Sequence, residues 1–288
     1  MGDGVAQEAE RQVELLVCAP GFPGTPEQAK GVMDALAAAI ARGAGWGEGR
    51  VRARYVATEV EGVTALKQRR PALLLPTLPF YCKHHALIRG ELVAASKLAD
   101  KPTEAFRVVA PRAFQGDGLA ALRGKRLTGT RIEDPNFLSR VVFAGALDAR
   151  RDLTLVDGKR TLRALKLATE GEADALLLSD DEWRLLQTPE LKPRLDGWRT
   201  VFESAALPSA PMVALGATPE AKPDAALVAA VQRALLALHA GDEGKKLCER
   251  LRVTGFAKPD PTPYAAVVKR YHRKADDDDG EQGDRGGD

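Results

Sequence analysis

Short apolar runs alternate with amphipathic stretches along most of the chain, and this alternation predicts strands and helices in turn. Strands are predicted at residues 13–19, 50–57, 72–75, 105–110, 126–130 and 175–178. Helices are predicted at residues 26–42, 59–70, 161–170, 224–240, 243–252 and 264–273, with one more beginning at residue 135. Residues 76–104 are predicted as a polar, helical connection, and residues 201–215 as an extended crossing segment. This alternation indicates an α/β fold with mainly parallel sheets.

Two helix starts are marked clearly in the sequence. Thr25 is a good N-cap, Pro26 suits the first helical turn, and Gln28 completes a capping box three residues after the threonine. Asp134 and Pro135 suit the same cap and first-turn positions of a second helix. Helices are therefore expected to begin at these two points.

An amphipathic helix, a turn and a fully apolar strand follow one another twice, at residues 63–75 and at residues 161–178. Fully apolar short strands are typical of parallel sheets that are buried on both faces. The two copies predict two similar lobes, and a chain of 288 residues is long enough to give each lobe its own core.

The composition is that of a folded protein, with 44% apolar and 28% charged residues. A net charge of +2, with the basic residues spread along the chain, and an aromatic content of 5% argue against a nucleic-acid surface. Cys18, Cys82 and Cys248 lie far apart without a CxxC spacing, so they leave the redox compartment undecided. Cys18 stands in an apolar run, where we expect a small buried hydrophobe.

Four segments carry a resemblance to a known family. They are residues 15–25, residues 119–127, residues 162–174, and Gly255-Phe256 followed by Tyr264. In order and spacing they resemble the phosphate/phosphonate-type substrate-binding proteins of ABC transporters, which have the class-two periplasmic binding fold. The resemblance extends from Val13 to Tyr271.

The resemblance implies a two-lobed α/β fold in which each lobe is a mainly parallel sheet flanked by helices, and two hinge strands join the lobes. We expect lobe 1 at residues 12–107 plus 211–272 and lobe 2 at residues 108–210, with residues 1–11 and 274–288 disordered. The hinge strands are expected near residues 107–110 and 208–214. A small ligand would bind in the cleft and close the hinge.

The expected anion site departs from the family pattern. In the phosphonate-binding members a run of small hydroxyl residues at the start of a second-lobe helix holds the anion, whereas here residues 130–136 contain Glu133 and Asp134. Two carboxylates there would repel a dianionic phosphonate. The candidate ligand-binding residues are Phe22, Tyr55, Glu61, Phe80, Tyr81, Thr130, Asp134, Asn136 and Asp180.

Some of these candidates have structural alternatives. Asp134 can simply cap its helix, and Tyr81 can be a core aromatic. Ser179 or Asp180 can be the N-cap of the helix that follows residue 180. Cys82, His84 and His85 are the only cluster of soft or borderline metal ligands, but adjacent histidines diverge, so we expect neither a metal site nor a cofactor.

The sequence contains no G-x-S-x-G, H-E-x-x-H, P-loop or G-x-G-x-x-G pattern, so we expect a binding protein and not an enzyme. Two other classes of protein would have the same sequence features. One is a cytoplasmic enzyme on the same fold, of the kind that acts in menaquinone or thiamine-precursor biosynthesis, and the other is a ligand-sensing partner of a membrane histidine kinase. The expected partners are a small-molecule ligand and an ABC permease or sensor kinase, with no nucleic acid and a monomeric protein.

The N-terminal residues lack the basic flank and apolar stretch of a signal peptide, and no segment is apolar for long enough to span a bilayer. The chain as written is therefore expected to be neither exported nor anchored in a membrane. If a signal peptide was removed, the expected location is periplasmic; otherwise a cytoplasmic protein is the alternative.

Overall fold

A computed structural model describes residues 12–22 and 24–273 of the chain. The predicted disordered termini, residues 1–11 and 274–288, lie outside the described residues. The strands are β1 (Val13–Cys18), β2 (Val51–Val56), β3 (Leu73–Pro76), β4 (Gly90–Lys97), β5 (Thr103–Glu104), β6 (Phe106–Pro111), β7 (Lys125–Gly129), β8 (Leu153–Asp157), β9 (Ala175–Ser179), β10 (Trp198–Glu203), β11 (Leu207–Pro208), β12 (Pro211–Leu215) and β13 (Gly255–Ala257). The α-helices are α1 (Pro26–Ala44), α2 (Glu59–Gln68), α3 (Leu78–Lys83), α4 (His85–Ile88), α5 (Pro135–Phe137), α6 (Thr161–Thr169), α7 (Asp180–Leu186), α8 (Ala225–Ala237), α9 (Asp242–Arg250) and α10 (Pro261–His272).

These elements form two sheets flanked by helices, which confirms the predicted two-lobed α/β fold class. The first sheet has six strands in the order β13-β4-β12-β3-β1-β2, and the second has five in the order β10-β6-β9-β7-β8. In each sheet four strands share one direction, because only β12 and β13 in the first and β6 in the second run antiparallel to the rest. We call each sheet with its helices a lobe.

The chain passes between the lobes twice, from β4 to β6 and from β10 to β12. Where the two passages run side by side, β5 and β11 pair antiparallel, Leu207 opposite Glu104, and form a two-stranded crossing ribbon. Residues 107–110, predicted as one hinge strand, lie within β6 of the second sheet. The predicted segment 208–214 begins in the ribbon and continues into β12 of the first sheet.

The predicted helix starts are confirmed. Thr25 accepts a hydrogen bond from the Gln28 N–H while the Gln28 side chain returns one to the Thr25 N–H, which is the capping box. Asp134 caps α5, which continues as a π-helical turn to Val142. Helix α1 runs two residues beyond its predicted end, to a left-handed Gly45 at φ 76°.

The prediction of a helical connection between residues 76 and 104 is wrong over its second half. Helices α3 and α4 are followed there by the eight-residue strand β4, which lies inside the first sheet between β12 and β13. The sequence also gave no expectation of β8, an edge strand that pairs only with β7. Both strands are held by partners. The sequence of β4, with Glu91 and Lys97 near its ends, lacks a clear apolar alternation, and β8 is only five residues long.

The C-terminal helix α10 contacts the first lobe, the crossing ribbon and the second lobe. Tyr264 donates to the Ser209 carbonyl beside the ribbon at 2.9 Å, and the Tyr271 carbonyl accepts from Arg140 of the second lobe at 3.0 Å. A ring nitrogen of His272 lies 2.9 Å from the Cys82 carbonyl in α3. No described helix is both long enough and apolar enough to cross a membrane.

Gly62 in the middle of α2 is required by close packing. A Cβ atom there would overlap the Cys18 sulfur and lie 2.9 Å from the Phe80 ring. We expect Gly62→Ala to lower the free energy of unfolding by about 1–3 kcal/mol through overpacking, although alanine gains up to about 1 kcal/mol of helix propensity.

Urea denaturation of both Gly→Ala variants measures this difference. Gly31→Ala in α1 is the matched control, because its new Cβ would meet only the Arg250 side chain, at 3.6 Å. We expect that control to be neutral or stabilising. A Gly62→Ala protein as stable as the wild type would contradict the packing argument.

Candidate functional site

A cavity of about 380 Å³ is lined by both lobes and by the crossing ribbon. The first lobe contributes Phe22 from the β1–α1 loop, Tyr55 from β2 and Ser96 from β4. The ribbon contributes Glu104, and the second lobe contributes Arg131, two residues after β7 ends. We call this space the interlobe cavity.

Most of the remaining wall of the interlobe cavity is apolar, and its other charged residues are Asp181, Arg250 and Arg252. Val17 and Leu75 come from strands of the first sheet, Val32 and Met33 from α1, and Phe256 from β13. Ligand sites in proteins are typically concave spaces of about 300–1,000 Å³ with apolar walls and a few polar groups. The interlobe cavity has the size and the lining of such a site.

Two buried charged side chains face each other in this cavity. Arg131 Nη1 lies 3.6 Å from Glu104 Oε2, and the side chains are 13% and 4% exposed, respectively. The Arg131 guanidinium also lies over the Phe22 ring, 4.4 Å from its centroid. Burial raises the pKa of the Glu104 carboxyl, and the positive charge of Arg131 opposes that shift.

Neither charged group is satisfied by hydrogen bonds. Within residues 12–22 and 24–273, the side chains of Glu104 and Arg131 form no hydrogen bond to any other group, and their only ion pair is the one at 3.6 Å. A buried guanidinium normally donates several hydrogen bonds, because its desolvation is otherwise costly. The cavity wall therefore offers five N–H donors of Arg131 and a carboxylate to a ligand.

Further contacts join the two lobes around the cavity. Arg252, which follows α9 in the first lobe, pairs with Asp181 of the second lobe at 3.4 Å. Gly21 has a φ of +79°, and a Cβ atom there would come within 3.1 Å of the Thr130 carbonyl oxygen. Glycine thus permits the close approach of the two lobes at this point.

A second, smaller pocket of about 50 Å³ is bordered by acidic side chains. Glu59 binds Lys83 at 2.9 Å and His84 at 3.0 Å, and these partners lower its pKa against the effect of burial. Burial, Asp157 and Glu59 raise the pKa of Glu133 on the other side of the pocket. Glu133 and Asp134, the two carboxylates whose charge would repel a phosphonate, lie near the interface between the lobes. The pocket that they border has little space for a ligand.

Deep in the second lobe, the carboxylate of Glu182 occupies a corner formed by hydroxyl groups. Its Oε1 accepts hydrogen bonds from Thr130 at 2.5 Å and Thr161 at 2.9 Å. Its Oε2 accepts from the Ser179 N–H at 3.0 Å and the Ser179 hydroxyl at 3.2 Å. The hydroxyl groups at these strand ends are therefore bound to an internal anion.

Of the predicted site residues, Phe22 and Tyr55 line the interlobe cavity. Phe80, Thr130 and Asp134 border the smaller acidic pocket. The structure thus divides these predicted residues between two neighbouring pockets, which share Thr77 and Arg131 in their linings.

The other predicted residues line neither space, because other protein groups surround or bind them. Tyr81 is 5% exposed and packs edge-on against Tyr264 in the core. Asp180 binds the Ala105 N–H and the Arg107 guanidinium. Glu61 accepts from the Thr58 hydroxyl at 2.7 Å. Asn136 lies beside the Tyr271 hydroxyl.

The structural alternatives for the caps are confirmed. Asp134 Oδ1 accepts the N–H groups of Asn136 and Phe137, and its Oδ2 accepts the Tyr271 hydroxyl at 2.9 Å. Ser179 is the N-cap of α7 and forms a capping box with Glu182. Both oxygens of Asp134 are therefore already used.

The cluster around Cys82 does not converge on one point. Cys82 is buried, His84 binds Glu59 at 3.0 Å, and His85 packs against the Tyr81 ring. The described part of the chain contains no group of three or more His, Cys, Asp or Glu side chains that could hold a metal ion.

Sequence reasoning missed the two central residues of the cavity. Glu104 lies in the stretch predicted as a connection, and nothing local marks it. Arg131 lies just beyond a predicted strand end, a position that would have identified it as a cleft residue.

A family model described as "ABC transporter, phosphonate, periplasmic substrate-binding protein" matches residues 72–264. These residues include β3 to β12, α10 up to Tyr264, and both Glu104 and Arg131. No curated protein matches the chain.

Solved structures with the same fold include the three that follow. XAC2383 from Xanthomonas citri, bound to chloride ion, has a TM-score of 0.69 and 15% identity over 90% of this chain and 98% of that chain. PhnD1 from Prochlorococcus marinus, in complex with methylphosphonate, has a TM-score of 0.64 and 14% identity over 89% and 97%. PA3383 from Pseudomonas aeruginosa, a binding protein component of an ABC phosphonate transporter, has a TM-score of 0.64 and 11% identity over 90% and 85%. At these identities the likeness shows the fold alone.

Proposed function

This chain belongs to the phosphonate-type periplasmic substrate-binding proteins of ABC transporters, and from that premise we propose that it holds a small organic anion in the interlobe cavity. The family assignment agrees with the resemblance seen in the sequence, and it makes the chain a transporter binding protein rather than an enzyme. The observation that carries the proposed ligand class is Arg131, a guanidinium that is 13% exposed, lines the cavity and has no hydrogen-bond partner among the described residues.

An anionic ligand would satisfy Arg131 in full. The planar guanidinium binds a carboxylate or phosphonate group through two parallel hydrogen bonds, which are stronger than neutral ones. Because the Arg131 guanidinium stacks on Phe22 of the opposite lobe, it is already oriented before a ligand binds. Little side-chain entropy is therefore lost on binding. The apolar wall would receive the body of the ligand.

The proposed capture mechanism is closure of the two lobes about the crossing ribbon. The predicted division at residues 12–107 plus 211–272 and 108–210 lies within a few residues of the crossing ribbon, and we propose the ribbon of β5 and β11 as the flexible connection. Separating the lobes would break the Arg131–Phe22 and Arg252–Asp181 contacts and open the cavity. A bound ligand that contacts both lobes favours the closed arrangement.

Members of this family normally work in the periplasm and deliver a small molecule to a membrane permease. We propose the same location and partner for this protein, with the protein acting as a monomer. A sensor kinase is the alternative partner, and the family match to a transporter protein favours the permease. The permease is therefore the proposed partner.

Filling the interlobe cavity tests the proposed site. Val32→Trp places an indole where Val32 of α1 lines the cavity. We expect organic carboxylates or phosphonates that stabilise the wild type in a thermal-shift screen to bind the variant at least about 100-fold more weakly, because 2.7 kcal/mol of contact is lost to steric exclusion. Isothermal titration calorimetry measures the ratio.

The matched control is Val60→Trp, because Val60 is 76% exposed on α2 and lines neither space. It is expected to bind like the wild type. Unchanged affinity in Val32→Trp, with the control behaving normally, would place the ligand outside the interlobe cavity.

A further inference from the structure

Glu104 is an unusual residue to find at the connection between two lobes. It is 3% exposed, it lies in β5 of the crossing ribbon, and it faces into the interlobe cavity. Its carboxylate has no hydrogen-bond donor among the described side chains and N–H groups, and Arg131 Nη1, at 3.6 Å, is beyond hydrogen-bond range. An anionic ligand would satisfy Arg131 but leave this carboxylate unsatisfied.

The surroundings of Glu104 favour a positively charged partner. Besides Arg131, the charges that act most on it are those of Asp180, Asp181 and Glu182, and Asp180 and Asp181 are themselves paired with Arg107 and Arg252. A ligand anion on Arg131 would add a further negative charge and weaken the attraction between Arg131 and Glu104. An ammonium group would instead donate hydrogen bonds to the carboxylate and offset the charge of that ligand anion.

The spacing of the two charges limits the shape of the ligand. Because Glu104 Oε2 and Arg131 Nη1 are only 3.6 Å apart, a ligand whose two oppositely charged groups are attached to one carbon can contact both at once. The ammonium and acid groups of an α-amino acid are arranged in this way. Beyond the charged pair, Val17, Val32, Met33, Leu75 and Phe256 leave an apolar space for a side chain.

We infer that the ligand is a zwitterion whose ammonium and acid groups are attached to the same carbon and whose side chain is apolar. Its acid group binds Arg131, its ammonium group binds Glu104, and its side chain fills the apolar part of the interlobe cavity. This inference rests on the proposed function, because it assigns a second charge to the ligand of the same site. Since Glu104 lies in the ribbon, binding of the ammonium group also joins the ligand to the connection between the lobes.

Four related compounds test the charge pattern by calorimetry with the full chain. They are leucine, 4-methylpentanoate without the amine, 3-methylbutylamine without the acid, and 1-amino-3-methylbutylphosphonate with a different acid group. We expect one of the two zwitterions to bind at least ten-fold more tightly than either singly charged compound. Which zwitterion binds more tightly identifies the acid group.

The result also separates this inference from the proposed function. If 4-methylpentanoate binds as tightly as the zwitterions, the inference is overturned while the proposed anion site stands. If none of the four binds, the inference is overturned, and the cavity-filling test with a broader set of anions decides the proposed function separately.

A charge-removing variant assigns the ammonium group to Glu104. Glu104→Gln keeps the shape of the side chain, and we expect it to weaken binding of the preferred zwitterion at least ten-fold. Binding of 4-methylpentanoate should stay the same or become tighter, because a negative charge near its carboxylate is gone. Glu91→Gln, on an exposed position of β4, is the matched control and should change neither affinity.

Weaker binding of the zwitterion without weaker binding of 4-methylpentanoate excludes a purely structural role for Glu104, because misfolding would weaken both. An equal loss for both compounds would overturn the assignment. Glu104→Asp provides a second measurement: it keeps the charge but withdraws it from the cavity, and it should weaken only the zwitterion.

Discussion

Replacing Glu182 by alanine is expected to lower the free energy of unfolding by at least about 4 kcal/mol, since three hydroxyl groups and one N–H lose their acceptor together and each unsatisfied group costs about 1–3 kcal/mol. Glu182 is 6% exposed, and its partners come from the ends of β7 and β9 and from the start of α6. One carboxylate thus connects three separate segments of the second lobe. Networks of this kind contribute more than their separate bonds suggest.

Urea denaturation of the ligand-free protein measures the effect. Glu172→Ala is the matched control: Glu172 is exposed in the same lobe and should change stability by no more than about 0.5 kcal/mol. Glu182→Gln keeps two hydrogen-bonding atoms, so its stability should lie between those of Glu182→Ala and Glu172→Ala. Added formate should stabilise Glu182→Ala more than the wild type, because it can occupy the vacated corner. A loss below 1 kcal/mol would mean that the hydroxyl groups find other partners.

Replacing Arg131 by methionine is expected to weaken binding of the anionic ligand at least about 100-fold, which corresponds to about 2.7 kcal/mol. Methionine keeps the length and much of the apolar contact with Phe22 but removes all five donors. Truncating one partner of a buried charged pair costs about 2–5 kcal/mol in binding. Arg131→Lys should be intermediate, because it keeps the charge but loses the planar fork.

Calorimetry with any ligand found in the thermal-shift screen measures these affinities. The matched control is Arg126→Met, because Arg126 is 44% exposed on β7, is bound to Asp174 and lies outside the cavity. Unchanged affinity in Arg131→Met would contradict the proposed site.

The stability of Arg131→Met in the absence of ligand is expected to depend on pH. Arg131→Met removes the cation that opposes the raised pKa of Glu104. A carboxyl with a raised pKa destabilises the folded state as the pH rises through that pKa, because the buried charge is then formed. We therefore expect Arg131→Met to be less stable than the wild type at neutral pH. The difference in the free energy of unfolding should become smaller as the pH is lowered and Glu104 takes up a proton.

Much of the secondary structure was predictable because its signals are local. The capping box of Thr25 and Gln28 depends on residues three positions apart, and the apolar strand at residues 175–179 shows its burial in its own composition. Strand β4 was missed because its burial comes from β12, which lies more than a hundred residues later in the chain. No local pattern reports such a pairing.

The candidate site was predicted only in part for the same reason. Phe22 and Tyr55 follow or end strands of the first sheet, so their position near the cleft could be read from the order of elements. Tyr81 follows a strand end in a similar way, but α3 turns its ring into the core against Tyr264. The direction of a side chain within a short helix depends on what packs against it.

The sequence by itself determined that this protein has two α/β lobes of a transporter binding protein, because periodicity, caps and family motifs are properties of neighbouring residues. Only the tertiary structure decided which polar groups remain available to a ligand. Asp134, Asp180 and Thr130 are used by helix caps, arginines and an internal carboxylate, whereas Glu104 and Arg131 lack hydrogen-bond partners in the cavity. A polar group and its hydrogen-bond partner often come from distant segments of the chain. Only the folded structure therefore shows which polar groups are already hydrogen-bonded and which remain available to a ligand.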